Sequence, residues 1–261
     1  MKQIKFLLSL LVGFSVVPLF SSCDKNDPKK EEIIIENQYD VVVDGLAYTL
    51  NVNQMTAELV AMNYPSTYEG DIVIPSKISA YGKDFTVESV NSAFYGSQNL
   101  TSVTIPSSIR LMDTGSFYGC MGLKRVIIEE TESELSLVKG AYFDLPFNDA
   151  LFENLNVEEI YIGRPPVYCY LMENLGKLKT ITYGKKAFQN PNYYRNWASI
   201  PVECDNLISI TNENINPVNL RYESFSNNIL MKTILYVPEE SLQKYKENEF
   251  WGKFWNIEPI K

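Results

Sequence analysis

Residues 87–128 read VESVNSAFYGSQNLTSVTIPSSIRLMDTGSFYGCMGLKRVII, one pattern stated twice. Phe94-Tyr95-Gly96 returns as Phe117-Tyr118-Gly119, and Leu100, Val103 and Ile105 return as Leu123, Val126 and Ile128, each pair 23 residues apart. Self-similarity at a fixed period in the twenties marks a solenoid, whose coils each supply a short strand and bury their apolar side only by stacking on neighbours. In L-x-x-V-x-I the named positions face the core, and the intervening ones face outward along the strand sheet.

Working outward, Ile72-Val73-Ile74-Pro75 matches Val103-Thr104-Ile105-Pro106, so the first solenoid strand begins at Ile72. Residues 81–90 read as a small hairpin insertion centred on Gly82-Lys83. Beyond Ile128 the period loosens: residues 129–156 lengthen the next unit. Strand cores return at 157–163, at 178–184, more faintly at 207–210, and for the last time at 235–238. A second column accompanies them. Phe94, Phe117 and Met172 each stand six residues before the leading apolar position of their strand, and Phe152 stands five before; Phe225 extends the column toward the last strand. Stacked in this way, they fill the core opposite the strands.

The ends have their own signals. Residues 39–74 alternate apolar and polar positions in short runs, with Asp44-Gly45 as a hairpin turn between two of them, which predicts a β-rich cap over the first coil. Residues 239–261 hold an acidic start after Pro238, then Leu242, Tyr245 and Lys246 on one helical turn, then Phe250, Trp251 and Phe254 after a break. They predict a short helix closing the far end. At the front, Lys2 and Lys5 precede an apolar run over 6–20 and then Ser21-Ser22-Cys23, the layout of a secretory signal. A cysteine at that boundary resembles a bacterial lipoprotein signal, in which Cys23 becomes the acylated first residue; Phe20 stands where leucine is usual. Residues 24–32 are charged, contain Pro28 and lack apolar side chains, so they read as a tether. The expected organisation is a signal over 1–22, lipidated Cys23 and tether over 23–37, a β cap over 38–71, the solenoid over 72–238 and a terminal cap over 239–261.

Composition removes whole classes of chemistry. The 261 residues include no histidine, so Ser-His-Asp and Cys-His catalysis and the usual zinc triads are absent. The four cysteines, Cys23, Cys120, Cys169 and Cys204, form no CxxC pair, so no metal knuckle or thioredoxin-like site is expected. Cys169 and Cys204 lie in the irregular stretch and are candidates to pair in an oxidising compartment; Cys120 replaces Ser97 of the previous coil and reads as a small buried residue. The net charge is −9, and −11 without Lys2 and Lys5, which repels phosphate backbones and speaks against nucleic acid as partner. No cofactor or metal is implied.

Read together, SAFYGSQNLTSVTIPSSI at 92–109, SFYGCMGLKRVII at 116–128, the entry segment YEGDIVIPSKISAYGKDFTVESV at 68–90 and the ending LYVPEESLQKYKENEFWGKFWNI at 235–257 resemble the BspA-like leucine-rich repeats of bacterial surface proteins. The resemblance implies a β-rich leucine-rich repeat solenoid of stacked short parallel strands, with an N-terminal β-hairpin cap and a short C-terminal capping helix. It implies adhesion to host or microbial surfaces for some members, and it brings no catalytic residues.

The outward positions are the candidate binding surface. One row should hold Ser102, Arg125, Glu159, Thr180 and Ser209; a parallel row should hold Thr104, Ile127, Tyr161, Thr182 and Tyr236. Arg125, Glu159 and Tyr161, with Thr182 beside them, form its densest polar and aromatic patch, of the residue types favoured at hot spots. A second candidate is Tyr168, Tyr170, Tyr193, Tyr194 and Trp197, around a long loop over 189–201. The expected protein is a lipid-anchored, outer-membrane recognition or adhesion module, exposed at the cell surface or facing the periplasm. It takes a protein ligand on the first patch or, alternatively, serves as a glycan-binding accessory lipoprotein through the second. A two-carboxylate glycosidase would need two paired acids in a cleft, and no feature pairs any two.

Overall fold

The computed structural model describes residues 39–138, 150–168, 170–188, 201, 203–218 and 225–261. Its spine is an eight-stranded, all-parallel sheet: β4 (Gly70–Val73), β7 (Leu100–Ile105), β9 (Arg125–Ile128), β12 (Glu159–Ile162), β15 (Thr180–Tyr183), β16 (Ser209–Asn212), β17 (Ile234–Val237) and β18 (Asn256–Pro259) in that spatial order. The register is the one that L-x-x-V-x-I demands. Ile72, Val103, Val126, Ile160, Ile181, Ile210, Leu235 and Ile257 lie side by side across all eight strands, and the six from Val103 to Leu235 are essentially inaccessible to solvent. The solenoid is thus a stack of coils in which mostly β-branched residues, with Leu235, supply one core column.

A second sheet runs along the other side: β1 (Val41–Val43), β2 (Leu46–Asn51), β3 (Thr56–Val60), β6 (Lys83–Asn91), β8 (Leu111–Asp113), β10 (Leu135–Val138) and β13 (Pro166–Val167), with β5 (Lys77–Ala80) added against β6. Beyond the cap and the 81–90 hairpin this sheet is not foreseen in the sequence, because β8, β10 and β13 are two to four residues long and carry no repeating motif. It also corrects the reading of 81–90 as an insertion. The hairpin turn is Tyr81-Gly82, both with positive φ (52° and 71°), and its second strand β6 is the first solenoid strand of this sheet. The cap is as expected. Asp44 (φ 48°) and Gly45 (φ 81°) close the β1–β2 hairpin, and β3 pairs in parallel with β6, so the cap prolongs the second sheet beyond the first coil.

The aromatic column stands between the sheets. Phe94 and Phe117 stack at 5.1 Å with rings 10° from parallel, and Phe117 meets Phe152 at 5.0 Å. Phe152 sits on β11 (Ala150–Glu153), paired with Met172 on β14 (Tyr170–Glu173) in a separate two-stranded sheet. Each column member leads into a left-handed residue: Gly96 and Gly119 at φ 77°, then Asn154 at 55° and Asn174 at 49°. Phe-Tyr-Gly therefore continues as Phe-Glu-Asn and Met-Glu-Asn, asparagine being the residue after glycine that best tolerates this backbone. At Gly96 the coil is also too tight for a side chain, since a Cβ would lie 2.6 Å from Cβ of Pro65.

Two buried polar groups pin the connections. Asp113 accepts from Ser92 N, Ser92 Oγ, Gly115 N and Ser116 Oγ. Arg164, wholly buried, donates to the carbonyls of Pro106, Ser107 and Ile109 in the turn after β7. Burial pulls its guanidinium down to about 10, with Glu129 opposing, so it stays charged at neutral pH.

The far end departs from expectation in three respects. Phe225 is buried among Phe250, Trp251 and Phe254 and not on the Phe94 column. A helix, α1 (Asn227–Lys232), capped by Ser226 Oγ, precedes β17. The 235–238 strand is not the last, because β18 adds an eighth. The short capping helix is present as α2 (Leu242–Lys246). Trp251, fully buried, contacts Tyr183, Phe188, Phe225, Tyr245, Phe250 and Phe254, and its Nε1 donates to the Val218 carbonyl at 3.0 Å. Both the bulk and the polar handle of the indole are satisfied there.

Candidate functional site

The outward face of the eight-stranded sheet carries two rows in register. The first runs Asp71, Ser102, Arg125, Glu159, Thr180, Ser209, Ile234 and Asn256; the second runs Val73, Thr104, Ile127, Tyr161, Thr182, Thr211, Tyr236 and Glu258. Every residue foreseen for these rows occupies its place, and the structure extends both rows to the edge strands. Arg125 and Glu159 are direct neighbours, Nε to Oε2 3.7 Å, each more than half exposed. Tyr161 is the next outward residue on β12 and has Thr182 beside it on β15.

Charge on this face is largely paired within it. Glu158 is flanked by Lys124 (3.8 Å) and Lys179 (2.5 Å), one coil to each side; the Lys179 hydrogen bond and charge, with the help of Lys124, hold the Glu158 carboxyl below its ordinary value. Hydrogen bonds from Ser102 and Thr101 do the same for Asp71. These pairs are solvated and stabilise little. Their consequence is that these charges on the strand face are already matched within it. Lys124, Glu158 and Lys179 each precede a foreseen row member by one residue, so this ladder was readable at the same spacing.

Tyr161 is held in place. Its hydroxyl donates to Glu130 Oε1 at 3.1 Å, and the same oxygen accepts the Lys185 amide at 2.6 Å. Gly184 makes the space, since a Cβ there would come within 2.5 Å of the Tyr161 hydroxyl and 3.0 Å of its Cζ. Burial, then the charges of Glu213 and Glu130, raise the phenol above its ordinary range. Burial and Glu130 likewise raise the Glu213 carboxyl, with Lys185 opposing. Glu213 opens onto a cleft of about 570 Å³ lined also by Lys185, Phe188, Asn214 and Asn216. Nothing in the spacing links Glu130 to residues 31 and 55 positions later, which is why this arrangement is invisible in the sequence.

The second candidate cluster is divided. Tyr168 is exposed, with a positive φ of 80°, and Tyr170 is half-buried on β14 opposite Ala150. Both lie off the eight-stranded sheet; Tyr193, Tyr194 and Trp197 fall outside the described residues, as do Cys23 and Cys169. Cys204 is buried, and burial pushes its thiol up to about 11. Cys120 is buried as expected, its Sγ donating to the Phe94 carbonyl, and burial pushes it up to about 12. Among the described residues no three Asp, Glu or Cys side chains gather as a metal site, and no helix is long and apolar enough to cross a membrane. The sequence reading also passed over an exposed apolar group near the last strands: Ile208, Met231 and Trp255, the last 71 % exposed.

Residues 85–192 match, in six copies, the BspA type leucine rich repeat region. Among solved structures, a leucine-rich repeat protein from Bacteroides ovatus is 14 % identical, with a TM-score of 0.34 over 85 % of this chain and 67 % of that one. A leucine rich cell surface protein from Faecalibacterium prausnitzii is 16 % identical, with a TM-score of 0.33 over 84 % of this chain and 72 % of that one. No curated protein matches the chain.

Proposed function

We propose that this chain, a solenoid of BspA type leucine-rich repeats, is a non-catalytic recognition module held at the bacterial cell envelope, adhering to a protein ligand on host or microbial surfaces. The observation that carries this reading is the outward face of eight strands in continuous register, on which Arg125, Glu159, Tyr161 and Thr182 are adjacent. Regularly spaced side chains on a rigid sheet suit a large partner. The sequence holds no histidine, so catalytic constellations built on an imidazole base have no base to use.

Attachment is through Cys23. Acyl chains on that residue bury methylenes at about 0.8 kcal/mol each, and more than one chain gives stable anchorage without a spanning helix. Mass spectrometry of the mature N-terminus should find a diacylglyceryl-modified cysteine at position 23, and labelling of intact cells with an impermeant reagent should mark the protein; no labelling without lysis would place it on the inner side. For recognition itself, binding to immobilised matrix proteins should weaken about tenfold in Arg125→Ala/Tyr161→Ala at unchanged melting temperature. Undiminished binding would remove this patch from the interface.

A further inference from the structure

One of the two outward rows lacks charge. From Val73 on β4 to Tyr236 on β17, the second row holds valine, threonine, isoleucine and tyrosine on seven successive strands, and the first charge is Glu258 on the edge strand. The first row and the positions before it are different, carrying Asp71, the Arg125–Glu159 pair and the Lys124–Glu158–Lys179 ladder. At ~4.8 Å per strand, the neutral row is roughly 29 Å long and one residue wide. Among the described residues the hydroxyls of Thr104, Thr182, Thr211 and Tyr236 make no hydrogen bond to another protein group, in contrast to Ser102 and Thr101, which are committed to Asp71. Tyr161, fixed by Glu130 and seated over Gly184, is the rigid aromatic of the row.

We infer that this row is a track for a linear, uncharged polysaccharide lying across the strands. A charged polymer would find no counter-charge within the row, and the charges of the row beside it are already paired. An uncharged one can cover the row without breaking those pairs. Each threonine hydroxyl both donates and accepts, as sugar hydroxyls do, while Tyr161 and Ile127 offer apolar surface to the C–H faces of a pyranose ring. The row is also periodic, with one outward residue every ~4.8 Å, which suits a polymer built from one repeating unit. A globular protein surface would need more width and would draw in the neighbouring Arg125 and Glu159.

The test is calorimetric titration of the purified full chain with neutral linear hexasaccharides (cello-, xylo-, manno- and malto-) and with their trisaccharides. At least one hexasaccharide should bind, about tenfold or more tighter than its trisaccharide, and with no dependence on salt. Charge inserted in the row by Thr182→Glu, or independently by Thr211→Lys, should weaken binding at least about tenfold at unchanged melting temperature, while the charge change Lys83→Glu, exposed on the β5–β6 hairpin of the other sheet, should leave it alone. The track is refuted if no neutral hexasaccharide binds, or if binding is indifferent to both insertions. Salt-sensitive, Arg125-dependent binding of a matrix protein with no hexasaccharide bound would leave the recognition function standing and remove only the track.

Discussion

The coils through β13 and the coils after it solve the same packing problem differently. In the first group each coil places a strand on both sides, and the gap between sheets is filled by one ring per coil, Phe94 stacked on Phe117 and Phe117 tilted against Phe152. In the second group the long sheet continues through β15, β16, β17 and β18, no described residue adds to the second sheet, and the space is filled by rings gathered around Trp251. One design propagates; the other terminates. A repeated stack leaves an apolar surface for the next coil, whereas a cluster built around one indole closes on itself, and the end of a solenoid requires that.

Removing the indole should therefore have the largest effect. Trp251→Ala deletes a fully buried ring and leaves the Val218 carbonyl unpaired, so unfolding free energy should fall by about 3–5 kcal/mol in denaturant titration. Trp255→Ala, four positions away and exposed, should stay within about 0.5 kcal/mol. Equal losses from the two would mean that the terminal cluster is not a closed unit. Within the repeating half, Phe117→Leu should cost about 1–2 kcal/mol, since it thins a stack without breaking either sheet.

The two halves also differ in how well the sequence announces them. Val103 and Val126 fall on adjacent strands and Phe94 stacks on Phe117 as the 23-residue spacing requires, because there each coil repeats both its strand and its return. The outward rows follow from alternation alone, so Arg125, Glu159, Tyr161 and Thr182 were legible before any coordinates. Strands β8, β10 and β13 were not, because their few residues sit in segments that vary freely in length and they are fixed by pairing with neighbouring coils. Strand β18 was hidden by the aromatic residues before it, which advertise a cap more strongly than Asn-Ile-Glu-Pro advertises a strand. The supports of Tyr161 were equally hidden: Glu130 and Gly184 reach it from other coils, at separations set by the lengths of irregular returns.

Smaller effects probe the strand face where the halves meet. Gly184→Ala should cost about 1 kcal/mol by displacing the Tyr161 hydroxyl and the Glu130 carboxylate, and less in a Tyr161→Phe background, where one of the two groups that crowd the new methyl is gone. Glu213 has its folded pKa raised by burial and by Glu130, so the charged form opposes folding. Glu213→Gln should stabilise the protein once pH exceeds that raised value, with the gain absent below the ordinary 4.5. Smallest of all is Lys179→Ala. Glu158 is held low by Lys179, so its contribution to stability is present above its ordinary value and lost as pH falls through the depressed one; without Lys179 its titration should move up, as read by NMR.

The register of the eight-stranded sheet is what both binding proposals stand on, and paired cysteines read it most directly. In a Cys23→Ser/Cys169→Ser background, Ser102→Cys with Arg125→Cys and Glu159→Cys with Thr180→Cys should each close a disulfide on mild oxidation, because these residues are lateral neighbours on adjacent parallel strands. Ser102→Cys with Thr180→Cys, two strands further apart, should not. Cross-linking of that distant pair, with the lateral pairs left reduced, would contradict the stacked coil and every row placed on it.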